Sequence, residues 1–288
     1  MSTAHRAWQQ DRPLWFQIPR LLRILWIFTA LLLAPWQRRW PFQPGRIHAF
    51  VLVRDLHCSL PALVDNFLHQ GLLPQHIFLL DSGSTSPACL ATLASLAQRG
   101  CQWIQLSAAE QRFGPYAPWL SGAVRQLIRA SQFPYLVTDP DLALPTTIPN
   151  DWLAQLFHTL NDHRYVLKAA LPLAIDDITV ANSNAIQAHE QAIYRQPGYR
   201  LLSRLLLGKQ PQAHICTTDT TLALYRPGRL FSTLSIRLSQ SYSVHHLPWY
   251  HPFCQTPEYH YYQSHKLPFF GEWSSPVQSA VDPAPPSP

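Results

Sequence analysis

The chain has 288 residues, 47% of them apolar, and a formal net charge of +6. This length and apolar content exclude a disordered protein and allow one large domain with a substantial core. Residues 1–47 carry seven Arg and one Asp (7 − 1 = +6), so the remainder holds 22 − 7 = 15 basic and 16 − 1 = 15 acidic side chains. Because that body is neutral, we expect no nucleic-acid partner.

The N-terminal segment, residues 1–46, contains both basic residues and an apolar run. The uninterrupted apolar part, Ile24–Trp36, is shorter than the roughly 20 residues that cross a bilayer. Arginines flank the run, and nearby tryptophans suit a membrane interface. We therefore expect a membrane-associated hydrophobic helix, either a short tilted span or an anchor in the plane of an anionic leaflet. The alternative is a core helix of the globular domain.

The five cysteines indicate a reducing compartment. Their number is odd, they are scattered, and no C-x-x-C occurs among them, so neither a disulfide framework nor a zinc motif is indicated. We expect the globular part of the chain to lie in the cytoplasm, at the membrane. At the other end, residues 274–288 are polar and rich in Pro, which predicts a disordered tail.

Strands and helices alternate from His48 onwards. The predicted strands are His48–Arg54, His76–Leu80, Cys101–Leu106 and Tyr135–Val137, and the predicted helices are Leu60–Gln70, Pro87–Arg99 and Ala117–Ser131. This order predicts an α/β fold with a doubly wound, mostly parallel sheet flanked by helices.

Acidic residues follow three of the predicted strands: Asp55, Asp81, and the pair Asp139 and Asp141. The carboxyl ends of parallel strands form the edge where open α/β sheets bind ligands. Two carboxylates one residue apart repel each other unless a cation lies between them, and a divalent ion carrying a phosphate would do so. The alternative is a turn in which Asp accepts local backbone hydrogen bonds. Neither G-x-G-x-x-G nor G-x-x-x-x-G-K-[ST] occurs, which disfavours dinucleotide and P-loop sites.

Four segments carry a resemblance to a known family: V-R-D after the first strand, L-L-D-S-G-S-T after the second, then F-G-P-Y-A-P-W and Y-L-V-T-D-P-D-L. They resemble the nucleotide-binding half of GT-A-type glycosyltransferases of the kind grouped with family 2. The resemblance implies a GT-A-like (Rossmann-like) fold, a UDP- or GDP-sugar donor, and Mn²⁺ or Mg²⁺ as cofactor. It also implies that Asp139 and Asp141 hold the ion on the diphosphate, with Asp139 also at the donor sugar or ribose.

The same resemblance assigns a nucleoside pocket. Asp81, with Ser82 and Ser84 in the same turn, is expected to contact the base and ribose. Arg54 and Asp55 stand where the family often has a polar pair lining that pocket. The alternative for Ser84 is capping of the next helix.

The second half of the domain is expected to bind the acceptor. The segments K-A-A-L-P-L-A-I-D-D-I, T-T-D-T-T-L-A-L-Y-R-P and H-H-L-P-W-Y-H resemble, more loosely, those that follow in one GT-A subgroup. The catalytic domain is thus predicted to span residues 47–273, with a nucleotide-binding half at 47–145 and an acceptor half at 146–273.

Two kinds of residue could complete the chemistry in this half, a metal ligand and a base. His246 is a candidate third metal ligand, because a downstream residue often ligates in this fold; its alternative is a structural role. An inverting transfer also needs a carboxylate that deprotonates the acceptor hydroxyl. The candidates are Asp219, then Asp177 and Asp176. The Glu-Asp pair that many family 2 enzymes carry is absent from this sequence.

Together these features predict a membrane-associated, metal-dependent glycosyltransferase. It would move a sugar from a nucleoside-diphosphate sugar to a hydroxyl of a glycan, lipid or other acceptor, and we expect inversion. Two alternatives stay open. One is a nucleotidyltransferase or phosphotransferase with the same acidic edge, which would need a further basic residue near the phosphates. The other is a catalytically degenerate, membrane-bound scaffold of the same fold.

Overall fold

The computed structural model describes Thr29 and residues 39–195, 197–207, 213–218, 221–227 and 234–266. Most of the basic N-terminal segment and the whole Pro-rich tail lie outside these residues, as does Asp219. The membrane-associated helix and the domain boundaries therefore stay predictions. Within the described ranges, no helix combines the length and the apolar character needed to cross a bilayer.

Ten strands lie in the described part of the chain. In chain order they are β1 His48–Val53, β2 Ile77–Asp81, β3 Gln102–Gln105, β4 Tyr135–Thr138, β5 Leu142–Ala143, β6 Lys168–Ala170, β7 Ala213–Thr217, β8 Ala223–Tyr225, β9 Leu234–Leu238 and β10 His245–His246. Eight form one sheet in the order β3-β2-β1-β4-β8-β6-β9-β7, while β5 and β10 pair separately.

Helices of very different length connect these strands. They are α1 Leu60–His69, α2 Pro87–Gln98, α3 Ala108–Gln111, α4 Ala117–Leu120, α5 Gly122–Ala130, α6 Trp152–Asp162, α7 Ser183–Arg195, α8 Pro197–Leu206, α9 His251–Cys254 and α10 Pro257–His265. The ends of α1 and α2 lie where the sequence predicts, because Gly71 and Gly100 follow them with positive φ and favour termination there.

The first four strands form the parallel half that the sequence predicts. β1 pairs in parallel with β2 and β4, and β2 pairs in parallel with β3. Side chains of β1 alternate between two cores: Ala49 and Val51 belong to one cluster, and Phe50 and Leu52 to the other. Both faces of this half are therefore covered, as expected of a parallel sheet. The carboxyl ends of these strands share one edge, called below the carboxyl edge.

The second half of the sheet is mixed. β8 runs antiparallel between β4 and β6, β6 and β9 are parallel, and β7 is antiparallel to β9. Because Ala223 at the start of β8 pairs with Val137 near the end of β4, the residues just before β8 lie at the carboxyl edge. Thr221 and Leu222 thereby reach the edge that Asp139 occupies.

Two predicted elements differ from the structure. The helix predicted over Ala117–Ser131 is broken into α4 and α5 at Ser121, which is extended (φ −69°, ψ 139°). Ser is favoured at helix N-caps, and Gly122 after it weakens helix continuation. The Thr-rich segment within His214–Tyr225, which its composition predicts to be one strand, is two strands, β7 and β8, which pair with different neighbours.

The small sheet positions the second half of the site. β5 and β10 are antiparallel, with Leu142 opposite His246 and Ala143 opposite His245. The backbone continues the contact, because Leu247 N donates to Asp141 O at 2.9 Å. This pairing places His246 beside the turn that follows β4.

Candidate active site

Asp81 is the last residue of β2, and its side chain stabilises the turn that follows. It is buried, and its Oδ1 accepts from Ser84 N at 2.7 Å while its Oδ2 accepts from Trp103 Nε1 at 3.3 Å. Gly83 in this turn has φ +85°, a conformation that glycine adopts without strain. The carboxylate therefore holds the turn at the carboxyl edge, and its predicted contact with a nucleoside stays a prediction.

Asp55 ties the loop after β1 to the loop after β2. It is buried with φ 54°, and its Oδ1 accepts from Thr85 N at 2.6 Å and Ser86 N at 2.7 Å. In return, Asp55 N donates to Ser84 Oγ at 3.1 Å. These bonds give Asp55 a structural role in holding the two loops together. The sequence alone is equally consistent with a side chain that lines the nucleoside pocket.

Arg54 lies beside these two loops. Its guanidinium donates to Ser82 O and, at 3.2 Å, to His265 O at the end of α10. Burial lowers the pKa of Arg54, and the nearby charges of Asp55, Tyr262 and Asp81 oppose that shift. Ser82 is buried as well, and its Oγ has no hydrogen-bond partner in the described part of the chain. The structure thus brings two predicted nucleotide-sugar-binding residues, Arg54 and Ser82, into contact.

The predicted metal ligands Asp141 and His246 are neighbours. The Asp141 side chain is only 13% exposed, and its Oδ2 lies 3.4 Å from His246 Nε2. Its Oδ1 is buried and has no hydrogen-bond partner among the described residues. Leaving a carboxylate oxygen buried without a donor is costly, and a bound cation would remove that cost. Asp139, two residues earlier, does not join this pair in a cluster of three ligand atoms within 4.8 Å of one another among the described residues, so its predicted role as a metal ligand stays a prediction.

Two tyrosines of α10 face the acidic pair. Burial raises the pKa of Tyr262, and the charges of Asp141 and Asp139 raise it further. Burial also raises the pKa of Tyr259 to about 12, with a smaller contribution from Asp141. Both phenols are therefore neutral near pH 7. The effect of the Asp139 and Asp141 charges on these two tyrosines has no sequence signature.

Asp177 lies on the other side of β10. Its side chain is 56% exposed, accepts from Tyr250 Oη at 2.8 Å, and lies 3.3 Å from His245 Nε2. Consecutive residues of a strand point to opposite faces, so His245 and His246 contact different aspartates. The structure therefore does not join Asp177 to Asp141 in one cluster.

The other candidate base, Asp219, lies outside the described residues, but its chain neighbours are placed. Thr218 and Thr221 are both buried. Thr218 O accepts from Lys168 Nζ at 2.6 Å, and Lys168 also donates to Tyr225 Oη at 3.1 Å. Fully buried in this way, Lys168 is not placed to bind a phosphate at the carboxyl edge.

Comparison with known proteins gives structural matches of low similarity. No family model and no curated protein matches the chain. A mannosyltransferase from Pyrobaculum calidifontis, in complex with GDP-Man and Mn²⁺, is 20% identical with a TM-score of 0.33, over 52% of this chain and 45% of that one. Glucosyl-3-phosphoglycerate synthase from Mycobacterium tuberculosis, with Mn²⁺ and UDP-glucose, is 17% identical with a TM-score of 0.34, over 66% and 62%.

These matches span about half to two thirds of the solved chains. Because the TM-scores and identities are low, we derive neither the fold nor the activity of this chain from them.

Proposed function

We propose that the chain is a metal-dependent glycosyltransferase that moves a sugar from a nucleoside-diphosphate sugar to an acceptor hydroxyl. One observation carries the proposal. Asp141, whose Oδ1 is buried and unpaired among the described residues, lies beside His246 and two residues after Asp139, at the end of the fourth parallel strand. That edge is where α/β sheets of this kind bind ligands.

The residues that would hold the ion are Asp139 and Asp141 through carboxylate oxygens and His246 through its imidazole. We propose Mn²⁺ or Mg²⁺ as the ion, which when bound acts as a Lewis acid on the diphosphate leaving group. The protein itself positions the residues that would hold the ion. The β5–β10 pairing fixes His246 against Asp141, so that two distant segments share one site.

The donor nucleoside is proposed to bind between the loops after β1 and β2. Asp55 and Asp81 fix the shapes of these loops through backbone N–H groups. Arg54 and the Ser82 hydroxyl supply polar groups beside them. A UDP- or GDP-sugar fits this description.

For the acceptor, we propose Asp219 as the base that deprotonates the hydroxyl in an inverting transfer, with Asp177 as the second candidate. Thr221, two residues from Asp219, lies at the carboxyl edge with Asp139, which supports the first choice. Asp177 contacts His245, on the face of β10 opposite His246, which makes it the weaker choice.

A thermal-shift panel of nucleotide sugars tests this function. We expect stabilisation by a UDP- or GDP-sugar in Mn²⁺ and none after chelation, because binding to the folded state alone raises its melting temperature. No response to any nucleotide would instead favour the degenerate scaffold.

The third ligand has its own test. His246→Gln is expected to weaken Mn²⁺ affinity in the presence of nucleotide by at least about tenfold, since it removes a ligand or a group that orients one. Manganese electron paramagnetic resonance measures the bound fraction. His245→Gln is the matched control, because His245 is the adjacent residue and contacts Asp177 instead. Equal affinities in the two variants would exclude His246 as a ligand.

We also propose that the protein binds an anionic membrane surface, through its N-terminal segment and through α8. Leu201 and Leu205 are one turn apart and 58% and 68% exposed, and Arg200 and Arg204 are exposed beside them. An exposed apolar and basic helix face is typical of interfacial binding.

Flotation with anionic vesicles tests the α8 contact. The double variant Leu201→Gln and Leu205→Gln should partition at least about tenfold less, because each exposed Leu gains about 1.5 kcal/mol or more on burial. Leu73→Gln is the matched control, since Leu73 is an exposed apolar residue outside α8. Unchanged partitioning of the double variant would rule out this contact.

A further inference from the structure

A second cluster of metal-binding side chains lies between the loop after β1 and helix α10. It consists of His57, Cys58 and Glu258, and one ligand atom of each lies within 4.8 Å of the others. His57 Nε2 and Cys58 Sγ are 3.9 Å apart. Tetrahedral zinc, with Zn–N near 2.0 Å and Zn–S near 2.3 Å, holds such atoms about 3.6 Å apart. A small adjustment would therefore accommodate the ion.

Glu258 contributes an unused oxygen to this cluster. The residue is 8% exposed. Its Oε1 accepts from the backbone N–H groups of His57 and, at 2.8 Å, of Cys58. Its Oε2 is buried and has no hydrogen-bond partner in the described part of the chain. Because an unpaired buried carboxylate oxygen is unfavourable, a cation at this position would stabilise the folded protein.

The orientation of His57 also fits a metal ligand. Its Nε2 lies 3.9 Å from Cys58 Sγ, and its buried Nδ1 lies 3.3 Å from Glu258 Oε1 and makes no hydrogen bond among the described residues. Metal-bound histidines usually direct their second ring nitrogen to a carboxylate or carbonyl. Cys58 is exposed, which gives an ion a route from solvent.

We propose that His57, Cys58 and Glu258 form a site for Zn²⁺ or a similarly soft divalent ion. A thiolate with an imidazole and a carboxylate selects Zn²⁺ over Mn²⁺ and Mg²⁺, and a water completes the fourth position. On binding, the Cys58 thiol releases its proton to solvent and the Sγ–metal bond forms. The site uses none of the residues assigned to the diphosphate-bound ion, so it is independent of the proposed transferase function.

An ion at this site would fasten α10 to the loop after β1. Both elements border the candidate active site. Burial and the charges of Asp141 and Asp139 raise the pKa of Tyr262 of α10. Tyr261 Oη donates to Thr85 Oγ1 at 3.1 Å, and Ser59 Oγ, next to Cys58, donates to Pro140 O. Zn²⁺ therefore acts here as a clip between two walls of the site.

Cobalt substitution in the full chain tests the proposal, with Co²⁺ as the probe. We expect a near-ultraviolet thiolate-to-cobalt charge-transfer band at one equivalent, which is lost in Cys58→Ser. Cys254→Ser is the matched control, because Cys254 Sγ donates to Pro248 O and lies outside the cluster; its band should be unchanged. A band that persists in Cys58→Ser, or no thiolate band in the wild type, would overturn the proposal.

The variant Glu258→Gln tests metal binding separately from folding. Glutamine keeps a carbonyl oxygen for the two backbone N–H groups but loses the anionic ligand. Since losing an outer-shell partner costs 10–100-fold in affinity, losing this ligand should weaken Zn²⁺ binding by at least about 100-fold. Asp141→Asn should leave the cobalt band intact. If Asp141→Asn abolishes the band while Glu258→Gln keeps it, the ion belongs to the acidic pair and the clip does not exist.

Discussion

Replacing Asp141 by Asn is expected to abolish Mn²⁺-dependent transfer from the nucleotide sugar, with a loss in kcat of at least about 100-fold. The physical reason is the charge. The carboxylate is nearly buried, one oxygen lies 3.4 Å from His246, and the other has no partner among the described residues. Asparagine keeps the volume but cannot neutralise a divalent ion. Asp139→Asn should give a loss of the same kind.

Asp162→Asn is the matched control for this pair. Asp162 is exposed at the end of α6 and lies 3.9 Å from Arg39, where an ion pair contributes little. Its variant should keep full activity, and circular dichroism and melting temperature should match the wild type in all three variants. Full metal-dependent activity in a folded Asp141→Asn protein would contradict the assignment of the ion to this turn.

Asp219→Asn should separate binding from chemistry. We expect it to bind the donor and Mn²⁺ as tightly as the wild type, yet to transfer sugar about 10²- to 10⁴-fold more slowly, the usual range for a lost general base. The reason is that the acceptor hydroxyl would keep its proton.

Asp177→Asn is the comparison that makes this result specific. Asp177 pairs with His245 and Tyr250, on the face of β10 opposite His246, so its variant should lose less activity than Asp219→Asn. Single-turnover assays with saturating donor compare the two rates directly. The opposite order of losses would identify Asp177 as the base and reject Asp219.

The parallel half of the fold follows from the sequence because its signals are local. Apolar runs of strand length alternate with helical periodicity, and Gly71 and Gly100 end two helices in the conformation that glycine favours. Strand ends in such a series meet at one edge, so the placement of Asp81 and Asp139 there could be predicted. The break at Ser121 is missed because the apolar helical pattern continues through it, and the pair Ser121 and Gly122 weakens a helix without being sufficient to predict a break.

The contacts between distant segments depend on pairing that has no sequence signature. The two-residue strands β5 and β10 bring His246 to Asp141, although nothing in either segment indicates the other as its partner. The role of Asp55 could not be predicted from the sequence either. A buried aspartate after a strand can bind a ligand or accept hydrogen bonds from the backbone, and the sequence pattern is the same in both cases. The contact of Glu258 with His57 and Cys58 likewise joins segments about 200 residues apart, and it arises from the packing of α10.

The most direct measurement of the central claim is a crystal structure of the protein grown with Mn²⁺ and UDP or GDP, examined for anomalous scattering by manganese. The proposed function predicts one peak bonded to the Asp141 carboxylate and to the diphosphate of the nucleotide, with Arg54 and Asp81 bordering the nucleoside. A nucleotide bound away from the carboxyl edge, or manganese bound without contact to Asp139 or Asp141, would contradict it.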